Sequence, residues 1–330
     1  MKTRQLGRSG PRVSQLGLGC MALSGIYGAA DEQEGVALIQ SALDQGITLL
    51  DTGDFYAMGH NEMLLGQALK GRREQAFIQV KFGVQRDPRG QHIGYDLRPA
   101  SIRNYLSYSL KRLRTDYIDL YQPARMDPSV PLEDVIGTVA DLVKAGWVRH
   151  IGMSEVGAET LRKAHALHPI AALQIEYSVI TRDIEQDILP TCRELGITVV
   201  PYGVLSRGLL GGNVNAQTLQ AGGSDMRTQF PRFQGDNLTR NLALTERLAA
   251  IAARRGATAA ELAIAWVLGR GEDIVPVIGA RRTDQLRALI NAPRIELTAA
   301  EYAEIEAAVP PDAAAGHRYS QRGAQQIAKS

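Results

Sequence analysis

The chain has 330 residues, 45% of them apolar and 22% charged, with a formal net charge of +2. That balance suits a globular protein of one large or two medium domains, and it gives no reason to expect nucleic acid or an acidic membrane surface as a partner. Two distant cysteines, Cys20 and Cys192, argue against a disulfide framework, residues 1–7 lack the apolar core of a secretion signal, and no window nears the roughly 20 apolar residues of a membrane-spanning helix, so a reduced cytoplasmic setting is expected.

Taken in chain order, short apolar runs alternate with stretches of helical spacing. The first run, near 15–19, leads into Gly17-Leu18-Gly19-Cys20-Met21-Ala22. That string satisfies G-x-G-x-x-G/A, but Ser24-Gly25-Ile26-Tyr27-Gly28 follows and helical spacing begins only near Asp31. The helix N-terminus that a dinucleotide fingerprint requires is therefore missing, and the glycines suit a loop that comes close to a ligand. Helical spacing at 32–45 precedes a second run at 47–50, which stops on Asp51 with Tyr56 five positions later. Spacing at 61–70 precedes a third run at 76–80, which stops on Lys81. A helix expected at 100–113 ends in Lys111-Arg112-Leu113-Arg114, where cations favour a helix C-terminus, and a fourth run at 117–121 leads into Gln122-Pro123-Ala124-Arg125.

Beyond this point helices expected at 132–145, 157–166 and 184–195 alternate with runs at 148–152, 171–175 and 197–201, with Gly46 and Gly196 marking helix-to-strand joins. Residues 203–239 carry Gly-Gly pairs and scattered Arg, Asp and Gln, and read as a long mobile loop on a functional rim. A helix at 258–269, a run at 274–278 and helices at 283–290 and 298–308 complete the series, the last opening on a capping box from Thr298 to Glu301. Eight such units without a dividing linker predict one domain over residues 1–330, a closed (β/α)8 TIM barrel with a decorated top; a doubly wound open sheet is the competitor. The tail, 310–330, is rich in Ala, Gln and Gly and is expected to be flexible, ordering when ligand binds.

In a barrel, functional groups gather at the carboxyl ends of the strands. Asp51 and Lys81 on adjacent strands would stand about 4.8 Å apart, with Tyr56 on the loop above them. The carboxylate would keep a buried lysine charged, and the cation would lower the pKa of the phenol from about 10, giving a proton donor that works near neutral pH. The alternative is a structural ion pair beside a half-buried loop aromatic. His60, His92, His150, His165, His168 and His317 suggest no metal cluster, and no metal is expected. Cys20 is either a reactive thiol beside the site or a small packed residue.

The string LDTGDFYAMGHNE at 50–62 resembles the aldo-keto reductase signature. So do VKFG at 80–83, DYIDLYQ at 116–122, GWVRHIGMS at 146–154, QIEYS at 174–178, PYG at 201–203 and VIGAR at 277–281, in family order across residues 4 to 309. The resemblance implies NADPH-dependent reduction of small aldehydes or ketones, with the cofactor extended across the barrel top. It assigns Tyr56 as general acid, Lys81 as its pKa tuner and Asp51 as the partner of Lys81. Ser154 and Gln174 fall at the nicotinamide carboxamide, and Tyr202 is stacked on the ring. Backbone groups of Gly203, Val204, Leu205, Ser206, Arg207 and Gly208 would cradle the pyrophosphate. Ile278, Gly279, Ala280, Arg281, Arg282 and Gln285 would meet the adenosine 2′-phosphate, a task that suits arginine's planar fork, although two successive arginines also suit a solvated helix start. Gly19, Cys20 and Met21 would line the cofactor cleft, and Tyr27, Tyr56, Ala124 and Arg125 the substrate pocket.

The pattern also breaks. Members of this family usually carry a catalytic histidine at the end of the fourth strand, where this chain has Ala124. Losing such a hydrogen-bond donor costs on the order of 10²–10³ in rate where it matters. Tyr56 alone could suffice for reactive aldehydes or quinone-like carbonyls, or water or a polar neighbour could fill the space, with Arg125 expected to point elsewhere. The third reading is a sensor or regulatory subunit that binds NADP(H) with little turnover. Glu155 follows Ser154 where asparagine is common, and Ala288 and Leu289 stand where a Glu-Asn pair often holds the adenine. The partner implied is a small carbonyl compound; an oligomer is not readable.

Overall fold

Eight of the apolar runs become parallel strands whose two faces are both covered, by the barrel interior and by surrounding helices. In this computed structural model, which describes residues 1–26, 30–212, 214–221 and 225–319, they are β1 (Gly17–Gly19), β2 (Leu49–Gly53), β3 (Phe77–Phe82), β4 (Ile118–Pro123), β5 (Val148–Ser154), β6 (Ile170–Glu176), β7 (Thr198–Tyr202) and β8 (Val277–Gly279). From β1 to β7 each strand pairs with the next, and β8 pairs with β1. The ring closes just before β8, where Val275 N donates to Val199 O at 2.9 Å and Ile274 bridges Val199. Gly17 shows how tight the seam is: a Cβ there would stand 2.8 Å from both Leu49 of β2 and Val277 of β8. The fold is a (β/α)8 barrel.

The intervening helices are α1 (Glu32–Asp44), α2 (His60–Ala68), α3 (Pro99–Leu113), α4 (Leu132–Lys144), α5 (Ala158–Leu167), α6 (Ile188–Leu195), α7 (Gly235–Ala253), α8 (Ala259–Leu268), α9 (Thr283–Leu289) and α10 (Ala299–Ala308). Their starts obey local chemistry. Asp31 caps α1 by accepting from Glu34 N, and Thr258 with Glu261 and Thr298 with Glu301 form capping boxes on α8 and α10.

One end of the barrel is stoppered by an antiparallel hairpin, Thr3–Gln5 against Arg12–Ser14. Leu6 and Val13 join Leu49, Phe77, Leu120, Ala172, Val200 and Val277 in one buried apolar layer. Gly7 N donates to Thr198 Oγ1 at 2.7 Å, and the buried Arg4 guanidinium donates to the carbonyls of Leu268 and Gly271, each at 2.9 Å, and to that of Ile274. These partners lie at the amino ends of the strands or before them. The carboxyl ends are left for the site.

Three expectations need correction, and one further element is unexpected. Strands β2 and β3 do not stop at their charged residues but run through them, and the register sets Lys81 opposite Gly53 and Asp51 opposite Gln79. Mutually paired charges can be carried inside a strand. Residues 203–239 are not one loop: short helical turns fill Ser206–Gly211, Met226–Gln229 and Pro231–Phe233, a helix fills Ala216–Ala221, and α7 opens at Gly235. Its buried stripe, Leu238, Leu244, Leu248 and Ile251, is interleaved with buried Asn241 and Thr245, which blurs the apolar period. The helix expected at 184–195 splits, because Asp187 accepts from Ile188 N and caps a fresh start after the turn Asp183–Glu185. Finally, a second hairpin, Val84–Arg86 against His92–Tyr95, rises beyond β3. The glycine string behaves as expected: a short turn, Cys20–Ser24, follows β1 and α1 starts only at Glu32.

Candidate active site

Lys81 and Asp51 lie at the open end of the barrel, both buried, with Lys81 Nζ 2.6 Å from Asp51 Oδ1. Because the register offsets them by two residues, the long lysine side chain spans the gap that the backbone leaves. Gln79, wholly buried, donates from Nε2 to the same Oδ1 at 2.9 Å. Burial pulls the ammonium of Lys81 below the ordinary lysine range, and the Asp51 carboxylate opposes that shift without cancelling it. Lys81 Nζ stands 5.1 Å from the centroid of the Tyr56 ring, which packs edge-on against Phe55 with centroids 4.8 Å apart. The acid, the cation and the phenol expected from sequence are thus gathered in one place.

Backbone strain concentrates on this rim. Of the seven non-glycine residues with positive φ among the described residues, five are Ala57, Met58, Glu155, Ser206 and Arg207. Such conformations cost about 1–2 kcal/mol each and persist where surrounding structure holds them, commonly at functional sites. Two follow Tyr56 directly; Glu155 follows Ser154; the last two open the turn after β7.

Across the mouth, Gln174 of β6 and Ser154 of β5 are register partners. Gln174 Oε1 accepts from Gln122 Nε2 at 2.8 Å, while Gln174 Nε2 and Ser154 Oγ have no partner among the described residues. Tyr202 ends β7 and donates from its hydroxyl to Glu155 Oε1 at 2.8 Å; burial, followed by the Glu155 charge, pushes this phenol well above the ordinary tyrosine range. Burial would raise the Glu155 carboxyl, but Arg318 and Arg125 together hold it below the usual carboxylate range. Residues 203–208 follow Tyr202, with Val204 and Ser206 buried and Gly203 at φ +67, close over Glu176.

A further cleft opens between the first turn and the end of β8, lined by Ala22, Leu23, Asp31, Glu34, Arg281, Arg282 and Gln285. Arg281 N donates to Gln285 Oε1 at 3.0 Å, whereas Arg282 is already paired with Asp284 at 3.0 Å on its own helix. Ile278 and Gly279 stand in register with Leu18 and Gly19, so the β8 and β1 ends adjoin, with Met21 half-buried in the turn beyond.

Other candidates fare differently. The Cys20 side chain is wholly buried, its thiol pushed up by burial and bonded to Leu18 O, as a small packed residue would be. Ala124 is buried at the end of β4. Arg125 does not point away from the site: it donates to Ala124 O at 2.6 Å and to the Tyr319 hydroxyl at 3.2 Å. Tyr27 lies outside the described residues. Among the described residues no group of three or more His, Cys, Asp or Glu could hold a metal, and no helix is long and apolar enough to cross a membrane.

Sequence reading missed Gln79, Gln122, Glu176, Arg318 and Tyr319 as parts of this rim. The first two interrupt apolar runs with a polar side chain, a signal of buried hydrogen bonding that was there to be used. Nothing local marks Arg318 or Tyr319, whose partners are more than a hundred residues away.

The sequence model of the Aldo/keto reductase family matches residues 15–310. Probable aldo-keto reductase 1 of Glycine max is 44% identical over 318 residues, 96% of this chain and 91% of that protein. Among solved structures, the glycerol dehydrogenase AKR11B4 from Gluconobacter oxydans superposes with a TM-score of 0.84 at 31% identity, covering 94% of this chain and 96% of that one. The holo form of aldo-keto reductase AKR11C1 from Bacillus halodurans gives 0.77 at 31% identity, covering 96% and 98%.

Proposed function

Because this chain belongs to the aldo/keto reductase family, we propose that it is an oxidoreductase that reduces the carbonyl group of small aldehydes or ketones with NADPH, Tyr56 supplying the proton. The observation that carries this reading is the Asp51–Lys81 pair, 2.6 Å apart and buried, with its cation 5.1 Å from the Tyr56 ring. An ammonium at that range favours loss of the phenolic proton, which makes tyrosine a usable acid at neutral pH. Asp51 keeps the ammonium inside the protein, and Gln79 holds the carboxylate toward it.

The residues around the mouth fit a nicotinamide cofactor. Ser154 Oγ and Gln174 Nε2, on register partners and without partners among the described residues, match the acceptor and donor of a carboxamide. Tyr202 offers a ring for stacking, and the strained turn of residues 206–208, which follows it at the same mouth, brings backbone close to where a pyrophosphate would lie. Arg281, with Gln285 fixing its backbone, favours a 2′-phosphate and hence NADPH over NADH. When bound there, the reduced nicotinamide supplies hydride to the carbonyl carbon. The chain's own work is then to fix the carbonyl oxygen within reach of the Tyr56 hydroxyl, to give up that proton as charge develops on the oxygen, and to hold Lys81 beside the ring while it does so. With Ala124 at the end of β4, Tyr56 is the side-chain donor on which this chemistry rests.

The test is loss of reduced-nicotinamide absorbance with a panel of aldehydes that includes nitrobenzaldehydes. Turnover with at least one aldehyde, faster with NADPH than with NADH, is expected. Tight NADPH binding with no turnover on any member of the panel would mean that the chain is a nucleotide sensor.

A further inference from the structure

Residues 310–319 are fastened chiefly at two places, with a longer bond between them from Arg232 Nε to Gly316 O at 3.3 Å. The first is an anchor away from the mouth: Asn241 of α7, wholly buried, accepts from Ala315 N at 2.8 Å and donates to Ala315 O at 2.9 Å. Gly316 follows at φ +81, a conformation natural to glycine, and a Cβ there would stand 2.8 Å from the Pro231 backbone.

Beyond that hinge lies the second fastening, on the mouth itself. Arg318 donates to Glu155 at 2.9 and 3.2 Å and reaches Glu176 at 3.5 Å. The Tyr319 hydroxyl is bonded to that of Tyr202 and accepts from Arg125, and its ring meets Phe230 edge-on at 6.2 Å and Arg207 at 5.3 Å. The carboxylate involved is not an exposed one: Glu155 is 2% exposed and sits at φ +54. A buried carboxylate needs a cation, so the ion pair and the strained backbone hold each other in place.

The partners of this fastening are what give it meaning. Glu155 follows Ser154, Glu176 lies two residues past Gln174, and Tyr202 is the aromatic at the end of β7. They belong to the wall argued above to receive the nicotinamide, and this inference rests on that reading. We propose that residues 317–319 form a self-inhibitory latch. With Arg318 on Glu155 and Tyr319 on Tyr202 the mouth is shut, and the segment turns about Gly316 to admit a nicotinamide cofactor. A protein whose binding-competent state is only fractionally populated binds its ligand more weakly by that fraction. Loosening the latch therefore raises affinity.

Hydrogen exchange of segment 310–319, together with titration calorimetry, tests this on the full-length protein with NADPH as the probe. Exchange in 310–319 is expected to rise when NADPH binds. Arg318→Ala should show raised exchange before any cofactor is added and should bind NADPH about tenfold more tightly, equivalent to about 1.4 kcal/mol. Tyr319→Phe, which leaves the Glu155 charge compensated, should move both readouts in the same direction by a smaller factor. Binding by Arg318→Ala alone, with none by the unaltered protein, would support the latch in its extreme form. Protection of 310–319 by NADPH, or binding by Arg318→Ala no tighter than by the unaltered protein, would overturn it. Failure of all three proteins to bind NADPH or NADH would instead overturn the cofactor reading, and the latch with it.

Discussion

Replacing Asp51 by asparagine removes the negative charge from the centre of the site while keeping its shape. Lys81 Nζ is 2.6 Å from Asp51 Oδ1, and Asp51 is its only hydrogen-bond partner among the described residues. At an effective dielectric constant of about 20, two unit charges at that distance attract by roughly 6 kcal/mol. That attraction opposes the effect of burial and holds the lysine charged. Burial already lowers Lys81 from the ordinary lysine value, so its charge is lost as pH rises through a folded pKa below that value, and activity that needs the ammonium falls over the same range. In Asp51→Asn that alkaline limb should move to lower pH, and kcat/KM at neutral pH should fall on the order of 10²-fold. The assay is a pH profile of NADPH-dependent aldehyde reduction, with circular dichroism confirming a folded variant, since a buried cation stripped of its partner costs about 3–5 kcal/mol of stability. An unmoved alkaline limb with activity near that of the unaltered protein would refute the reasoning.

Three further outcomes follow. Arg4→Ala leaves three carbonyls without their donor at the barrel seam, so it should destabilise the fold by about 2–4 kcal/mol, read as a lowered denaturant midpoint with an unchanged slope. Arg281→Ala should raise the Kd for NADPH about tenfold and leave that for NADH unchanged; equal effects on both would remove Arg281 from 2′-phosphate recognition. Ala124→His should raise kcat on unactivated ketones by about tenfold or more, whereas no change with intact NADPH affinity would mean that another group already donates to the substrate oxygen.

Much of this was legible in the sequence because a buried parallel strand declares itself as a short apolar run and a helix by its period. Each of the eight runs became a strand, and Asp51 and Lys81 stood out as charges at the ends of such runs. Their register did not, because the offset between neighbouring strands is set by how the whole barrel closes and leaves no local trace. The expected Asp51–Lys81 proximity held only because a lysine side chain is long enough to bridge two residues of slip. Helix α7 was hidden by its buried polar residues, one of which, Asn241, turned out to anchor the C-terminal segment. Arg318 and Tyr319 were illegible for a different reason. Their roles come from partners 163 and 117 residues away, and only the folded chain brings these together.

The most direct test of the account is single-turnover reduction of 4-nitrobenzaldehyde by the NADPH-loaded protein and by Tyr56→Phe, with NADPH occupancy measured for both. Loss of the phenolic hydroxyl should lower the rate by about 10³-fold or more while cofactor binding stays within a few-fold. A Tyr56→Phe variant that reduces the aldehyde at a rate near that of the unaltered protein would contradict it.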